Sequence, residues 1–574
     1  MCGIVGYIGN KKALPILIDG LQTLEYRGYD SAGVGYILNN KTHIVKEKGK
    51  LENLVKKLDF DTDTFIGIGH TRWATHGIPD NINAHPHKQG RITLIHNGII
   101  ENYEELKNEL DYDFKTQTDS EVIAALIDKL YNGNMLETLV KVKNKLIGSY
   151  ALGILVDGED KIYAIRKNSP LIVASSNEGN FIASDVPAII KYTNKYILLE
   201  QNEIAVLSKN NLEIYNDNLE LINKEVLTFD GNFMDACMDG YEHFMLKEIN
   251  EEPKVFRDTI SVYKDLPDFS KYNRIEIVGC GSAYHAGLIG KNLIEKYANI
   301  EVNVYIASEY RYSKQFYDKN TLVIFISQSG ETADTLACLN KVKSEGIDSL
   351  GIINVRASAI ARDVTNVIYT KAGCEIAVAT TKAYLSQITV LSLIALKLSN
   401  KSLNELNDIE LLPSKIEKLI NLDYSKIALK LYKKNDIYFL GRGIDYSLAL
   451  EGSLKLKEIS YIHSEAYASG ELKHGTIALI SENTPVIYIS TTRELNDKTI
   501  SNVKEVKARG AYVIGITTIP NSVCDDMILV DEVEPLLQPI LTVIPLQMLA
   551  YHVAKLKGCD IDKPKNLAKS VTVE

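Results

Sequence analysis

Cys2 directly follows Met1, so trimming the methionine would put a thiol and a free α-amine on one residue. The attacking species is the thiolate, and an α-amine with an ordinary pKa of about 7.7–8.0 can take the thiol proton near neutral pH. By itself Cys2 could equally be a small apolar residue opening a strand. Three downstream strings carry complementary chemistry. His70-Thr71-Arg72-Trp73-Ala74-Thr75-His76-Gly77 follows the apolar run Phe65 to Ile68, a strand end leading into a loop, and its Arg can fork onto a carboxylate. Asn97-Gly98 follows the run Ile92 to Ile95 and joins a side-chain amide to an approachable backbone N–H, the parts of an oxyanion hole. Asp119, in Thr118-Asp119-Ser120-Glu121, precedes a helical pattern with Val122, Ile123, Leu126, Ile127 and Leu130 on one face, and its carboxylate could pair with an ammonium. Taken singly, Asn-Gly is also a common turn, and Asp or Ser before a helix a common cap.

A second chemistry lies further along. Ser327-Gln328-Ser329-Gly330-Glu331-Thr332 sits between a strand-like run, Thr321 to Ile326, and a helix. Hydroxyls and backbone N–H groups there make a neutral anion cradle, helped by the helix dipole, although a Ser-rich cap without a ligand has the same composition. The string lacks the lysine of a G-x-x-x-x-G-K-[ST] loop, which favours a small phosphate ester over a triphosphate. Lys455 and Glu458, three residues apart on a helix, share a face on which the amine can tune the carboxylate.

The elements that must position these residues change character near residue 230. Before it, short strand-like runs such as Tyr150 to Val156, Phe181 to Ser184 and Glu203 to Leu207 predict a layered α+β domain over 2–228. The stretch 229–246, rich in glycine and acids and without periodicity, reads as a linker. Beyond it strand, turn and helix repeat. Arg274 to Val278 runs into Gly279-Cys280-Gly281-Ser282, and about 160 residues later Asp436 to Leu440 runs into Gly441-Arg442-Gly443. Likewise Thr321 to Ile326 has a counterpart in Pro485 to Ile489, which leads into Ser490-Thr491-Thr492. Two tandem α/β parallel-sheet units, 247–412 and 413–561, followed by a tail at 562–574, are the economical reading.

The 574 residues carry 64 Lys and Arg against 74 Asp and Glu, a formal charge of −10, which does not suggest a nucleic-acid or anionic-membrane partner. The seven cysteines are scattered, without a CxxC pair or metal-ligand spacing, as suits a reducing cytosol and no zinc. No signal-peptide pattern precedes Cys2 and no apolar run reaches the roughly 18 residues that span a bilayer, so an intracellular, cytoplasmic protein is expected.

Together with Leu24-Glu25-Tyr26-Arg27-Gly28-Tyr29-Asp30-Ser31-Ala32-Gly33 and Asn83-Ala84-His85-Pro86-His87, the N-terminal strings closely resemble the glutaminase domain of class II, N-terminal-nucleophile amidotransferases. The resemblance implies that Cys2 attacks the side-chain amide of L-glutamine, with Asn97 and Gly98 holding the oxyanion. It places Arg72, Trp73, Thr75, His76 and Asp119 around the glutamine, Arg72 on the α-carboxylate and Asp119 on the α-ammonium. The second half resembles tandem sugar-isomerase domains. The strings Glu451 to His463, Glu465-Ala466-Tyr467, Gly470-Glu471-Leu472-Lys473-His474-Gly475 and the ending Asn566 to Glu574 are similar to isomerising glutamine:fructose-6-phosphate amidotransferases over essentially the whole chain.

That similarity implies D-fructose 6-phosphate as second substrate, no cofactor, and a homodimer or higher homo-oligomer. It assigns Ser282, Ser327, Gln328, Ser329, Thr332 and Val378 to the sugar phosphate, His474 to ring opening, Glu458, with Lys455 beside it, to proton transfer between C1 and C2, and Lys569 to a Schiff base with the ketose. Trp73 resembles the family's ammonia gate, and is equally a packing residue. One departure is plain: the family's Thr-Ser pair after Cys-Gly is Ser282-Ala283 here, so one hydroxyl of the phosphate cradle is missing. A phosphosugar-binding regulator with a vestigial glutaminase is the competing reading; it would need none of Glu458, His474 and Lys569.

Overall fold

The computed structural model describes residues 2–229, 238–356 and 358–572. Part of the expected linker, 230–237, therefore lies outside the described residues, as do Met1 and the last two residues of the tail. The chain forms two compact units, Met1–Cys237 with Ala568–Glu574, and Met238–Leu567.

The first unit is built from two antiparallel sheets. Strand Gly3–Gly9 is central in an eight-stranded sheet, between Gly179–Ala183 and Ile66–Arg72, with Ser31–Leu38 next beyond. Its alternation sets its two faces: Ile4 and Ile8 point inward, while Val5 meets Gly20 of helix Ala13–Leu24. The second sheet has six strands, among them Ile92–Ile100 paired with Gly148–Val156. Ile4, Ile8, Ile66 and Ile68 of one sheet share a core with Ile95, Ala151, Leu155 and Ala164 of the other. Helices Asp119–Leu130 and Met135–Lys143 cover the outer face of the second sheet through Val122, Ile123, Leu126 and Leu139. The result is a helix–sheet–sheet–helix sandwich, the layered α+β arrangement expected.

The second unit holds two five-stranded parallel sheets of identical order. The first runs Glu301–Ile306, Arg274–Gly279, Thr321–Ser327, Asp348–Ile353, Asn366–Tyr369. The second runs His463–Ala468, Asp436–Gly441, Pro485–Ser490, Tyr512–Thr517, Asp526–Leu529. In each, the strand order reverses beside the first strand, which opens a crevice at the strand C-termini where ligands of such sheets bind. Helix Ser282–Ala298 starts from one such crevice and helix Ile444–Ser460 from the other, and one core runs through both sheets and their helices.

Helix Gln538–Leu556 is long and apolar enough by length and composition to cross a membrane, but 83% of its 18-residue apolar window is buried inside the protein. Its polar Gln538, Thr542 and Gln547 side chains and the prolines at 539 and 545 had broken the apolar run.

Helix Lys382–Leu398 packs on helix Ser282–Ala298, with the fully buried Leu391 facing Gly290. Leu391→Ala leaves a cavity at this crossing and is expected to cost about 2–5 kcal/mol of stability. Urea unfolding of the full chain followed by tyrosine fluorescence checks this, and a change within about 0.5 kcal/mol would mean that the crossing is not tightly packed.

Candidate active site

The register of the first sheet decides where Cys2 lies. Pairing of Gly3 with Thr71 sets Cys2 beside the residues that end the neighbouring strand. The Trp73 N–H donates to Cys2 Sγ at 3.2 Å, and the Trp73 carbonyl lies 3.5 Å from the same sulfur, as an acceptor for the thiol. Burial pushes the Cys2 thiol above its usual pKa, against the Trp73 N–H and the Arg72 charge, which favour the thiolate. A thiol held protonated this way needs a base before it can attack.

His70 to Arg72 complete strand Ile66–Arg72, and the loop begins at Trp73, as expected. Arg72 is 3% exposed, and its guanidinium donates to the carbonyls of His76, Gly77 and Ile78, which fixes its direction. The loop that supplies those carbonyls leaves Thr75 exposed and His76 half-buried against Tyr103. Trp73 is half-buried, edge-on to Tyr29 at 6.0 Å. Asp119 opens helix Asp119–Leu130, where Thr118 accepts the Glu121 N–H as the cap. The Asp119 carboxylate is 4% exposed and accepts the Ile100 N–H at 2.9 Å.

Asn97 and Gly98 form no turn. They sit inside strand Ile92–Ile100, opposite Ala151 and Tyr150. Gly98 has φ +137°, and a Cβ there would lie 2.0 Å from the Ser149 carbonyl oxygen, so only glycine fits. Asn97 Nδ2 donates to the Cys2 carbonyl and to Ser184 Oγ, both at 2.9 Å. Its Oδ1 lies 3.1 Å from His70 Nε2, which also faces the His96 carbonyl at 3.0 Å. Two acceptors require that Nε2 carry the proton, and burial, which lowers the His70 pKa to about 3, keeps the ring neutral. His70 thereby holds the Asn97 amide with its N–H groups toward Cys2. His70 and Ser184 had no role assigned from sequence; His70 was visible within its motif, whereas Ser184 carried no signal beyond the end of a strand-like run.

In the second unit, Ser327 ends strand Thr321–Ser327. Its hydroxyl accepts the Gly330 N–H at 2.9 Å and lies 3.0 Å from Thr332 Oγ1. Gly330 has φ +65°, and a Cβ would meet Ser358 Oγ at 2.0 Å. Ser329 Oγ accepts the Glu331 N–H at 3.2 Å, and Gln328 offers its carbonyl to the Asn354 and Val355 N–H groups. The loop thus folds back over the end of its strand and leads to helix Ala333–Ser344. Val378 is buried, its N–H bonded to the Asp562 carbonyl. The Ser282 hydroxyl donates to Glu451 at 2.8 Å.

Helix Ile444–Ser460 carries the charged cluster. Lys455 Nζ is 2.6 Å from Glu458 and 3.6 Å from Glu451, with Lys455 and Glu451 each 1% exposed. Burial works against the charge on Lys455, yet the two carboxylates raise its pKa. Burial likewise opposes charge on Glu451, and Lys455, His285 at 2.8 Å and Ser282 outweigh it, so its pKa is lowered. Glu451, the second carboxylate on Lys455, was inside a quoted string but unassigned. His474 is exposed on a 3₁₀ turn, Glu471–His474. Lys569 belongs by its contacts to the first unit.

Gly98→Ala is expected to eliminate glutamine hydrolysis while the second unit keeps its affinity for phosphosugars. Glutamate release measured beside fructose 6-phosphate binding checks the separation, and normal hydrolysis by the variant would contradict the close approach to Ser149.

Comparison with known proteins places both units. The glutamine amidotransferase domain family matches residues 70–191, and the SIS domain family matches 268–397 and 430–557. The chain is 49% identical, over 100% of both chains, to a glutamine–fructose-6-phosphate aminotransferase (isomerizing) of Clostridium acetobutylicum. It is 45% identical, again over 100% of both, to the Aquifex aeolicus enzyme of that name. Among solved structures, the C-terminal domain of glucosamine-fructose-6-phosphate aminotransferase from Francisella tularensis is 39% identical with a TM-score of 0.52, covering 57% of this chain and 99% of that one. The chain belongs to the isomerizing glutamine–fructose-6-phosphate aminotransferase family.

Proposed function

We propose that the chain hydrolyses L-glutamine at Cys2, passes the ammonia to D-fructose 6-phosphate and isomerises the product to glucosamine 6-phosphate in the cytoplasm, as a homodimer or higher homo-oligomer. In this reading 2–228 is the glutaminase, 247–412 and 413–561 are the two sugar-isomerase repeats, and 562–574 is the catalytic tail. The observation that carries it is the convergence of three distant strings on Cys2, with the Trp73 N–H on its thiol and Asn97 Nδ2 on its carbonyl.

In the first step the α-amine of a mature Cys2 takes the thiol proton, and sulfur attacks the amide carbon. The charge that develops on oxygen is met by the Gly98 N–H and by Asn97 Nδ2, which exchanges its bond to the Cys2 carbonyl for the substrate oxygen. His70 matters here because a flipped Asn97 would present its oxygen instead. Collapse to the thioester expels ammonia, and water then releases glutamate. Arg72 and Asp119, each held by backbone groups, suit the α-carboxylate and α-ammonium of the substrate.

In the second step the loop 327–332 takes the phosphate, His474 opens the sugar ring, and Lys569 forms an imine at C2. Ammonia displaces the lysine. Glu458 then removes a proton from C1 and returns one to C2, leaving an aldehyde at C1 and an amine at C2. Lys455, buried, lies 2.6 Å from that carboxylate and holds it in place. No electrons leave the substrate pair, so no redox cofactor is required. The missing hydroxyl at Ala283 removes one neutral hydrogen bond, worth about 0.5–1.5 kcal/mol, and predicts weaker sugar binding rather than lost function.

Incubation of the full chain with both substrates should yield glutamate and glucosamine 6-phosphate in equal amounts. Cys2→Ala is expected to abolish glutamine-dependent synthesis and leave fructose 6-phosphate binding intact. Lys569→Arg, which keeps the charge but cannot form an imine, should lose synthesis while glutamine hydrolysis survives. Glutamate release by Cys2→Ala at the parent rate, or full synthesis by Lys569→Arg, would remove that residue from the mechanism.

A further inference from the structure

The two repeats of the second unit can be aligned atom by atom at their first turns. Gly281 has φ 55°, ψ −128° and Gly443 has φ 56°, ψ −126°, and a 17-residue helix follows each. A Cβ on Gly279 would press on the Ala283 carbonyl carbon and the Tyr284 nitrogen; one on Gly441 would press on the same atoms of Asp445 and Tyr446. Ala283 and Asp445 therefore occupy the same place, and the loops after Ser327 and Ser490 follow the same strand of each sheet.

The two places hold different chemistry. Asp445 is 1% exposed, and its Oδ2 accepts the N–H groups of Thr491 and Thr492 at 3.0 and 3.1 Å, while the Thr491 hydroxyl bonds to Oδ1. Burial raises the Asp445 pKa against these donors. Two successive amide groups after a strand, aimed at one carboxylate, make an anion-binding turn already filled by the chain itself. Beside it lies a cavity of about 510 Å³, bordered by Gly443, Thr491, Thr492, Arg493 and, from the first repeat, Lys296. It is roomy enough for a sugar phosphate, with Lys296 at its edge and Arg493 paired to Glu532, which lines it together with Glu494. In the first repeat, position 283 is an alanine, with no oxygen to offer the loop.

We infer that Asp445 is a built-in carboxylate ligand that fills the anion-binding turn of the second repeat and confines phosphate esters to the first. The inference rests on the reading of loop 327–332 as a phosphate cradle. It explains how duplicated crevices carry one substrate: an external phosphate at the second turn would have to displace a buried carboxylate that already satisfies its donors.

Isothermal titration of the full chain with fructose 6-phosphate tests this. The parent should bind about one molecule per chain, and Asp445→Ala, which makes the second turn like the first, about two. The reciprocal Ala283→Asp should place a carboxylate in the first cradle and weaken binding about 100-fold or more. Two molecules on the parent, or one on an Asp445→Ala variant that still unfolds cooperatively, would overturn the inference. If Asp445→Ala does not fold, Ala283→Asp decides, and parent-like affinity in it overturns the inference. No binding by the parent would instead overturn the cradle reading, and this inference with it.

Discussion

The antiparallel ladder between Gly3–Gly9 and Ile66–Arg72 is the constraint on which the first active site depends. Chain starts ordinarily fray, but this one is a central strand with all seven residues buried. A slip of one residue would exchange Ile4 and Ile8 with Val5 and Tyr7 between the two faces, so the register is fixed by the core. Once Gly3 faces Thr71, Cys2 has nowhere to be except beside Trp73. The same burial that fixes its position raises the thiol pKa, and this makes a dedicated base necessary.

In the second unit the corresponding constraint is a buried lysine. Lys455 is surrounded by Glu451 and Glu458, and Glu451 is in turn held by Ser282 and His285 at the start of the first repeat's helix. A buried charge stripped of its partners is costly, so the cluster is retained as a whole or lost as a whole. It ties the helix that carries Glu458 to the turn that precedes Ala283. The duplicated sheets supply two similar crevices, and the side chains at 283 and 445 make them unequal.

Much of this was legible in the chain. The switch from short alternating runs to strand–turn–helix near residue 230 separated the antiparallel sandwich from the parallel sheets, and the glycine turns marked the repeat. The spacing of Lys455 and Glu458 gave their contact directly. What was hidden depended on contacts between residues far apart in sequence. Asn97-Gly98 has the composition of a turn, and only pairing with Ala151 and Tyr150 makes it mid-strand. Ser282 reads as a phosphate ligand, and its bond to Glu451, 169 residues away, has no signal in the sequence. The buried histidines His70, His85, His87 and His96, with ring centroids of His70 and His85 4.0 Å apart, are dispersed through three motifs and acquire a common environment only on folding. Asp445 had no role assigned from the sequence, because its partners lie 46 and 47 residues on.

The central claim is that nitrogen released at Cys2 becomes the amine of the sugar. Glutamine labelled with 15N in its side-chain amide, supplied with fructose 6-phosphate in buffer containing a large excess of unlabelled ammonium, tests it most directly. The account predicts glucosamine 6-phosphate carrying the label in nearly every molecule. Product carrying the isotope composition of the bulk ammonium would contradict it.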